Sequence, residues 1–246
     1  MNKVLFPVKN GTITQKYGEN PELYKSRFGI AFHNGIDIVS FHGDELLACR
    51  DFIPYKIFGS NIGSVNKGFG FHALTEPDDK GICEEWVYWH TMSNLKVKLG
   101  IKSFQGDVVG YEGASGAVFS GGVEVPDNLK GVYPFPGTHL HWGKRLVLKT
   151  KNPISDVLSD INGSPYIDSY GFYYQVLNFD NGVKGFIDPM KDEIIYYKEF
   201  EAQKIVSVAS SIANEIPKID VNKQRNIIDL LISLLKKVAI TFFTKK

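Results

Sequence analysis

The stretch Thr138-His139-Leu140-His141-Trp142-Gly143 places two histidines two residues apart. Residues two apart on a β-strand point to the same face, so both imidazoles would project into the groove that this strand lines. Two histidines on one face are uncommon as core packing, because each buried imidazole needs hydrogen-bond partners. By itself, this His-x-His pattern is only moderately specific for a metal site.

Two further candidate ligands, His33 and Asp37, lie near the N-terminus on either side of Asn34-Gly35. Glycine permits an unusual backbone turn there, and zinc accepts both imidazole nitrogen and carboxylate oxygen. Taken alone, such a pair is more often a turn with a surface histidine and a solvated aspartate. Together with the histidine pair, it supplies three ligands for one zinc ion and leaves a fourth position for a water with a lowered pKa.

Three histidines remain outside these two groups. His90 ends the aromatic run Trp86-Val87-Tyr88-Trp89-His90, where the simplest interpretation is a hydrogen-bonded histidine at the end of a strand. His42 lies in a predicted turn and is expected to be exposed. His72 follows Gly68-Phe69-Gly70-Phe71 and could line a cleft, although a structural role is favoured.

The composition excludes several classes of protein. A net charge of +1 argues against a nucleic-acid-binding surface, which would show as a basic excess. No run of 18 apolar residues is present, and Pro7 interrupts the N-terminal segment before a secretory signal could form. Cys49 and Cys83 are too few for a disulfide framework and are expected to be buried or inert thiols, although a bond between them is left open.

The first 150 residues are strand-like, with short apolar runs separated by glycine, asparagine and proline. We therefore predict a β domain over residues 1–150, a mixed extension packing on it over 151–200, and a helical segment over 201–246. Ser120–Pro136 predicts a long surface loop before the histidine pair, and Asn20–Tyr24 predicts a shorter one. The clearer strands are predicted at Ile36–Val39, Trp86–Trp89, Asp107–Tyr111, Leu146–Leu148, Phe172–Tyr174 and Ile194–Tyr197.

An amphipathic helix of roughly five turns is predicted near the C-terminus. It could pack its apolar stripe on the domain or on a second copy of the chain, and this interpretation is favoured. Alternatively, its lysines and Phe242-Phe243 would suit a helix lying on a membrane surface. The apolar residues at helical spacing are Ile227, Ile228, Leu231, Leu234, Leu235 and Val238.

Four segments follow one another in an order that resembles the lysostaphin-type (LytM-like) zinc metalloendopeptidases, which cleave peptidoglycan and glycyl-glycine bonds. That family's pattern is H-x-G-x-D, Y-x-H-L, a glycine-rich stretch and H-L-H-F/W. The resemblance covers roughly residues 10–145. The corresponding segments here are His33-Asn34-Gly35-Ile36-Asp37, Tyr88-Trp89-His90-Thr91-Met92, Gly106 to Gly116 and His139-Leu140-His141-Trp142-Gly143.

The resemblance implies a mainly β fold, an antiparallel sheet or sandwich of the duplicated-hybrid-motif type with an open zinc-containing groove. The C-terminal α-helical appendage is predicted from its apolar periodicity and not from the resemblance. The resemblance also implies roles for five residues. His33, Asp37 and His141 would hold one Zn²⁺ per chain. His139 would act as general base towards the attacking water, and His90 would orient that water or donate a hydrogen bond to the tetrahedral intermediate.

The chain departs from the family pattern at several places. Thr91-Met92 replaces the usual leucine, the Ser120–Pro136 loop is longer than usual, and Arg50–Asn66 matches only loosely. Nothing beyond residue 150 has a counterpart in the family core. Because these segments would form the groove walls, the substrate bond cannot be inherited from the family.

The leading hypothesis is a zinc endopeptidase that acts on stem or cross-bridge peptides of bacterial peptidoglycan, with no nucleic-acid partner. Without a signal segment, a phage lysin or virion-associated wall hydrolase is the expected source. The alternative is a non-enzymatic cell-wall-binding module or a phage tail structural module built on the same fold. The presence of all three ligands and both catalytic histidines favours the enzyme.

Overall fold

The computed structural model describes residues 3–59, 68–215, 227–230, 232, 233 and 236. The α-helices are α1 (Pro21–Phe28) and α2 (Tyr197–Glu215), and short 3-10 helices occur at Asp127–Leu129 and Pro189–Lys191. The strands are β1 (Val4–Leu5), β2 (Thr12–Gln15), β3 (Ile36–Val39), β4 (Glu45–Leu47), β5 (Ile53–Phe58), β6 (Phe69–Leu74), β7 (Ile82–Thr91), β8 (Val108–Tyr111), β9 (Phe119–Ser120), β10 (Val123–Glu124), β11 (Leu140–Thr150), β12 (Tyr173–Val176), β13 (Phe186–Ile187) and β14 (Ile194–Ile195).

The largest sheet has eight antiparallel strands, and the long strand β11 lies at its centre. The strand order is β2-β3-β11-β7-β6-β5, while β12 and β13 pair with the later part of β11. Separate two-stranded sheets include β4-β8 and β9-β10. The chain is therefore mainly β and antiparallel, as predicted, and part of the region beyond residue 150 completes the main sheet.

The two faces of this sheet have different chemistry because side chains alternate along each strand. Leu140 and Trp142 of β11 point into the core, where Trp142 stacks on Trp86 with ring centroids 4.8 Å apart. Burial of each such large side chain stabilises the fold by about 1.5–3 kcal/mol. His141, which lies between the two core residues, points to the opposite face. The same alternation separates Ile36 and Ile38 from Asp37 on β3.

The chain falls into two compact units, Met1–Ile194 and Ile195–Lys246. The division into 1–150, 151–200 and 201–246 stays a prediction. Within the predicted amphipathic helix, Ile227 and Ile228 are helical, whereas its remaining apolar positions, Leu231, Leu234, Leu235 and Val238, lie outside the described residues. Among the helices that the structure describes, none combines the length and apolar character needed to cross a membrane.

Three local predictions are wrong. Asn20–Tyr24 is not a loop, because helix α1 begins with a proline at Pro21 and ends at Phe28, followed by the C-cap Gly29 with φ 65°. The sequence of α1 has no apolar periodicity that would predict a helix, and none of its residues is buried. The strand predicted at Ile194–Tyr197 ends at Ile195, and α2 begins at Tyr197. His42 is half-buried rather than exposed, because it stacks on Phe135.

Both cysteines are buried and free, as favoured from the composition. Cys49 belongs to the main core cluster, and Cys83 belongs to a second cluster with Val147 and Tyr174. Burial raises the pKa of both thiols, which keeps them protonated and unreactive.

Candidate metal and catalytic site

Three of the predicted site residues meet at one point on the open face of the main sheet. Nε2 of His33 lies 2.9 Å from Nδ1 of His141, and both nitrogens lie 3.1 Å from Oδ1 of Asp37. The backbone explains the meeting, because Asp37 and His141 are directly opposite partners on β3 and β11. His33 reaches the same point from the turn that precedes β3.

This arrangement of atoms fits a zinc ion. Nδ1 of His33 lies 3.1 Å from the carbonyl oxygen of Lys16 and can donate to it, which leaves a lone pair on Nε2 facing the other two ligand atoms. Nitrogen and oxygen lone pairs that meet at 2.9–3.1 Å need a cation or a shared proton between them. The edge of a tetrahedral zinc site is about 3.3 Å when each bond is about 2.0–2.1 Å, so only a small expansion is required.

Gly35 allows the approach of His141 to the turn between His33 and Asp37. A Cβ atom at position 35 would lie 2.8 Å from Nε2 of His141 and 2.7 Å from the carbonyl oxygen of Trp142. Both distances are shorter than real Cβ contacts. The glycine of the His33–Asp37 motif is therefore required by space.

The other two predicted site residues, His139 and His90, lie beside the three ligand atoms. Nε2 of His139 is 3.8 Å from Oδ1 of Asp37, and the rings of His139 and His90 have centroids 4.5 Å apart. Both rings are half-buried and line the same groove. The structure thus brings all five predicted residues together, while their individual roles stay proposals.

The glycine-rich stretch places these two histidines. The carbonyl oxygen of Gly113 accepts the backbone N–H of His139, and the carbonyl oxygen of Ser115 lies 2.7 Å from Nδ1 of His90. A Cβ atom at Gly113 would lie 2.9 Å from the carbonyl oxygen of His90, so the two segments can approach only with glycine there. His90 itself has φ 65°, a conformation that non-glycine residues seldom adopt outside constrained sites.

Burial favours the neutral form of two histidines of this site, His141 and His90. It lowers the pKa of His141 to about 4, and it lowers the pKa of His90 well below its ordinary value, with a further contribution from His139. Burial by itself would raise the pKa of Asp37, but the surrounding imidazoles, His139 first among them, hold that pKa well below its usual range. Neutral imidazoles beside an ionised carboxylate are the protonation states that zinc ligation requires.

Two aromatic residues complete the site, and no motif in the sequence predicts a role for either. Tyr24 of α1 stacks on His33 with ring centroids 5.0 Å apart, and Trp89 of β7 stacks on His141 at 4.9 Å. Trp89 lies within one of the four family-like segments, but only the pairing of β7 with β11 shows what it covers.

The site opens into a groove of about 1730 Å³. Phe119, Ser120 and Gly122 form part of its wall, so the beginning of the predicted 120–136 loop does border the cleft. An ion pair of 3.5 Å between Arg27 of α1 and Glu124 of β10 connects α1 to this loop. The loop lies where the sequence departs from the family pattern, and α1 lies where the sequence predicts a loop.

Comparison with solved structures finds similar chains, at low identity and with low TM-scores. The catalytic domain of lysostaphin from Staphylococcus simulans is 19% identical with a TM-score of 0.36, and the match covers 56% of this chain and 81% of that domain. A mutant catalytic domain of the prophage-encoded protein EnpA from Enterococcus faecalis is 23% identical with a TM-score of 0.38, covering 58% and 85%. A zinc-containing peptidase from Vibrio cholerae is 18% identical with a TM-score of 0.39, covering 58% and 36%.

This chain is similar to lysostaphin-type peptidases. No protein-family model matches the sequence, and none of the curated proteins matches it. At these identities and TM-scores the structural likeness carries no weight on function. A function is inferred instead from the distances between five residues: His33, Asp37, His90, His139 and His141.

Proposed function

We propose that this chain is a zinc-dependent endopeptidase that hydrolyses peptide bonds in bacterial peptidoglycan. The observation that supports it is the convergence of Nε2 of His33, Oδ1 of Asp37 and Nδ1 of His141 within 3.1 Å of one another. Two further imidazoles, those of His90 and His139, stand beside them in an open groove. A structural zinc site would be closed by a fourth protein ligand, whereas three ligands at a groove are typical of a catalytic one.

The three converging residues would hold the metal. Bound there, zinc would supply Lewis acidity, polarising the scissile carbonyl and making a water molecule acidic near neutral pH. The single carboxylate of Asp37 leaves the site a residual positive charge. Lys16 contributes through its backbone carbonyl, which fixes the tautomer of His33.

His139 would take the proton from the attacking water. Its Nδ1 lies 2.8 Å from the carbonyl oxygen of Gly137 and can donate to it, so Nε2 keeps its lone pair and faces Asp37 at 3.8 Å. The carboxylate of Asp37 would then stabilise the imidazolium that forms when Nε2 accepts the proton. The same imidazolium can pass that proton to the leaving amine.

His90 can take the same tautomer as His139. Because its Nδ1 faces the carbonyl oxygen of Ser115 at 2.7 Å, neutral His90 offers Nε2 as an acceptor. It therefore orients the water in the ground state and becomes a hydrogen-bond donor to the oxyanion only after it gains a proton. Of the two roles that the family resemblance implies for His90, water orientation is the one that the neutral ring can perform.

The experiment compares metal content and wall hydrolysis in the parent chain and two histidine variants. His141→Ala removes a proposed ligand, and His42→Ala removes a histidine that instead contacts Thr138 and Phe135. We expect about one zinc per chain, turbidity clearing of purified peptidoglycan and release of new amino termini from the parent and from His42→Ala. His141→Ala should lose both zinc and clearing.

The outcomes separate the proposal from its alternatives. Stoichiometric zinc without release of amino termini from walls of several chemotypes would contradict the peptidase. Protein that pellets with walls but never solubilises them would favour the wall-binding or phage tail module. Absence of zinc from carefully prepared parent protein would overturn the metal site itself.

A phage origin, as a lysin or virion-associated hydrolase, stays a prediction. Lysis of intact cells by protein added from outside would be the expected behaviour of such an enzyme. The interpretations of the C-terminal helix as a self-association or membrane-surface element also stay predictions. A truncation near residue 220 that remains active but changes oligomeric state would support the first, and loss of binding to anionic liposomes would support the second.

A further inference from the structure

The His141 ring makes its polar contacts with His33 and Asp37 through Nδ1. Its Nε2 atom is buried and, within the part of the chain that the structure describes, has no hydrogen-bond partner. His33 differs, because its second nitrogen faces the carbonyl oxygen of Lys16. Metal-ligating histidines usually bond through the second nitrogen, and that bond sets the orientation of the ring. Packing must therefore set the orientation of His141.

Trp89 provides that packing. It is the direct partner of His141 in the pairing of β7 with β11, and the two rings stack with centroids 4.9 Å apart and an interplanar angle of 15°. Side chains directly opposite on antiparallel strands are in contact range on the same face of the sheet. The indole therefore covers one flat side of the imidazole.

Trp89 is itself held in place by a buried hydrogen-bond chain. Its Nε1–H donates to Nε2 of His72 at 3.0 Å. Because an indole nitrogen can only donate, Nε2 of His72 must accept and the ring proton must reside on Nδ1. That nitrogen lies 2.7 Å from Oε1 of Glu85, whose buried carboxylate is also bound by the guanidinium of Arg145.

We propose that Trp89 is a positioning residue for the ligand His141, anchored through His72 to Glu85. The inference rests on the proposed metal site. Without the indole, the His141 ring could rotate and carry Nδ1 away from His33 and Asp37, whereas metal sites tolerate displacements of only about 0.2 Å. Trp89 occupies the variable position between Tyr88 and His90 of the Y-x-H motif, so this support belongs to this chain rather than to the shared pattern.

The first test is zinc affinity, measured by competition with a chromophoric chelator. Trp89→Phe keeps a stacked ring but loses the N–H, and Trp89→Leu loses both. We expect the dissociation constant of zinc to rise about 10-fold for Trp89→Phe and about 100-fold for Trp89→Leu. Trp86→Phe is the matched control, because Trp86 lies on the same strand and donates its own N–H, but it points into the core.

The control should lower the free energy of unfolding while changing zinc affinity by no more than about two-fold. Folded Trp89→Leu with the affinity of the parent would overturn the inference, and so would an equal loss of affinity in Trp86→Phe. If the parent itself binds no zinc, the proposed metal site fails instead, so the two failures are distinguishable.

The second test concerns the anchor. His72→Gln can still accept from the indole and donate to Glu85, whereas His72→Leu can do neither. We expect His72→Gln to bind zinc nearly as well as the parent and His72→Leu to bind about 10-fold more weakly. Equal affinities in two folded variants would show that the hydrogen bond to Trp89 has no positioning role.

Discussion

Replacement of Gly35 by alanine should disable the metal site while leaving most of the fold intact. The added Cβ atom would lie 2.8 Å from Nε2 and 2.9 Å from Cε1 of His141. Ordinary contact begins at 3.4 Å, so the ring would have to retreat by about 0.6 Å. That displacement exceeds the tolerance of about 0.2 Å for zinc ligation.

We expect Gly35→Ala to weaken zinc binding at least about 100-fold, because a ligand itself is displaced. Overpacking beside the carbonyl oxygen of Trp142 should also lower the free energy of unfolding by about 1–3 kcal/mol. Chelator competition measures the first quantity, and urea unfolding of the metal-free protein measures the second. Near-UV circular dichroism checks that the core aromatic residues remain packed.

Gly110→Ala is a suitable control for this experiment. A Cβ atom at Gly110 meets only Cδ2 of Leu95, at 3.0 Å, and a flexible side-chain end can move aside. This variant should bind zinc within about two-fold of the parent. If Gly35→Ala also binds zinc with parental affinity, the close approach of His141 to the turn is not what positions this ligand, and the reasoning is refuted.

Three further predictions concern a catalytic base, a buried carboxyl group and a buried amine. His139→Ala should keep zinc within a few-fold while kcat on a peptide substrate falls by about 10²–10⁴; parallel loss of zinc would instead make His139 a ligand. Burial raises the pKa of Glu112 to about 7 from an ordinary 4.5. The protonated carboxyl group therefore makes its full contribution to the free energy of unfolding below about pH 4.5, and this contribution falls by about 3 kcal/mol as the pH rises from there to about 7. Urea titrations should show the advantage of Glu112→Gln over the parent growing across that window, and a constant difference would contradict the burial argument. The amine of Lys144, a residue only 3% exposed, contacts Glu84 at 2.7 Å and Asp192 at 2.6 Å. Lys144→Met leaves both carboxylates without this partner and should therefore lower the free energy of unfolding by about 3 kcal/mol. An unchanged urea midpoint would show that solvent screens this cluster.

Much of the candidate site is predictable from local sequence patterns. Strand alternation places His139 and His141 on one face, and the order of four motifs marks His33, Asp37 and His90 as their companions. These signals are readable because each motif is local in the chain and each ligand type has a restricted chemistry.

Other features are not predictable in this way, because they depend on which surfaces meet. Helix α1 is short and has no buried residue, and no apolar periodicity in its sequence predicts it. Nevertheless, it brings the ring of Tyr24 onto that of His33. The pairing of β12 and β13 with β11 requires contacts across many residues, and no local pattern specifies the partner of a strand.

The sequence by itself determined the chemistry of the site: which residues can ligate a metal and which can accept a proton. The tertiary structure alone decided how that chemistry is held and enclosed. Cross-strand register places Trp89 on His141, and buried hydrogen bonds place His72 on Trp89. The physical reason is that covalent neighbours define which atoms are present, whereas packing between distant segments defines where those atoms can point.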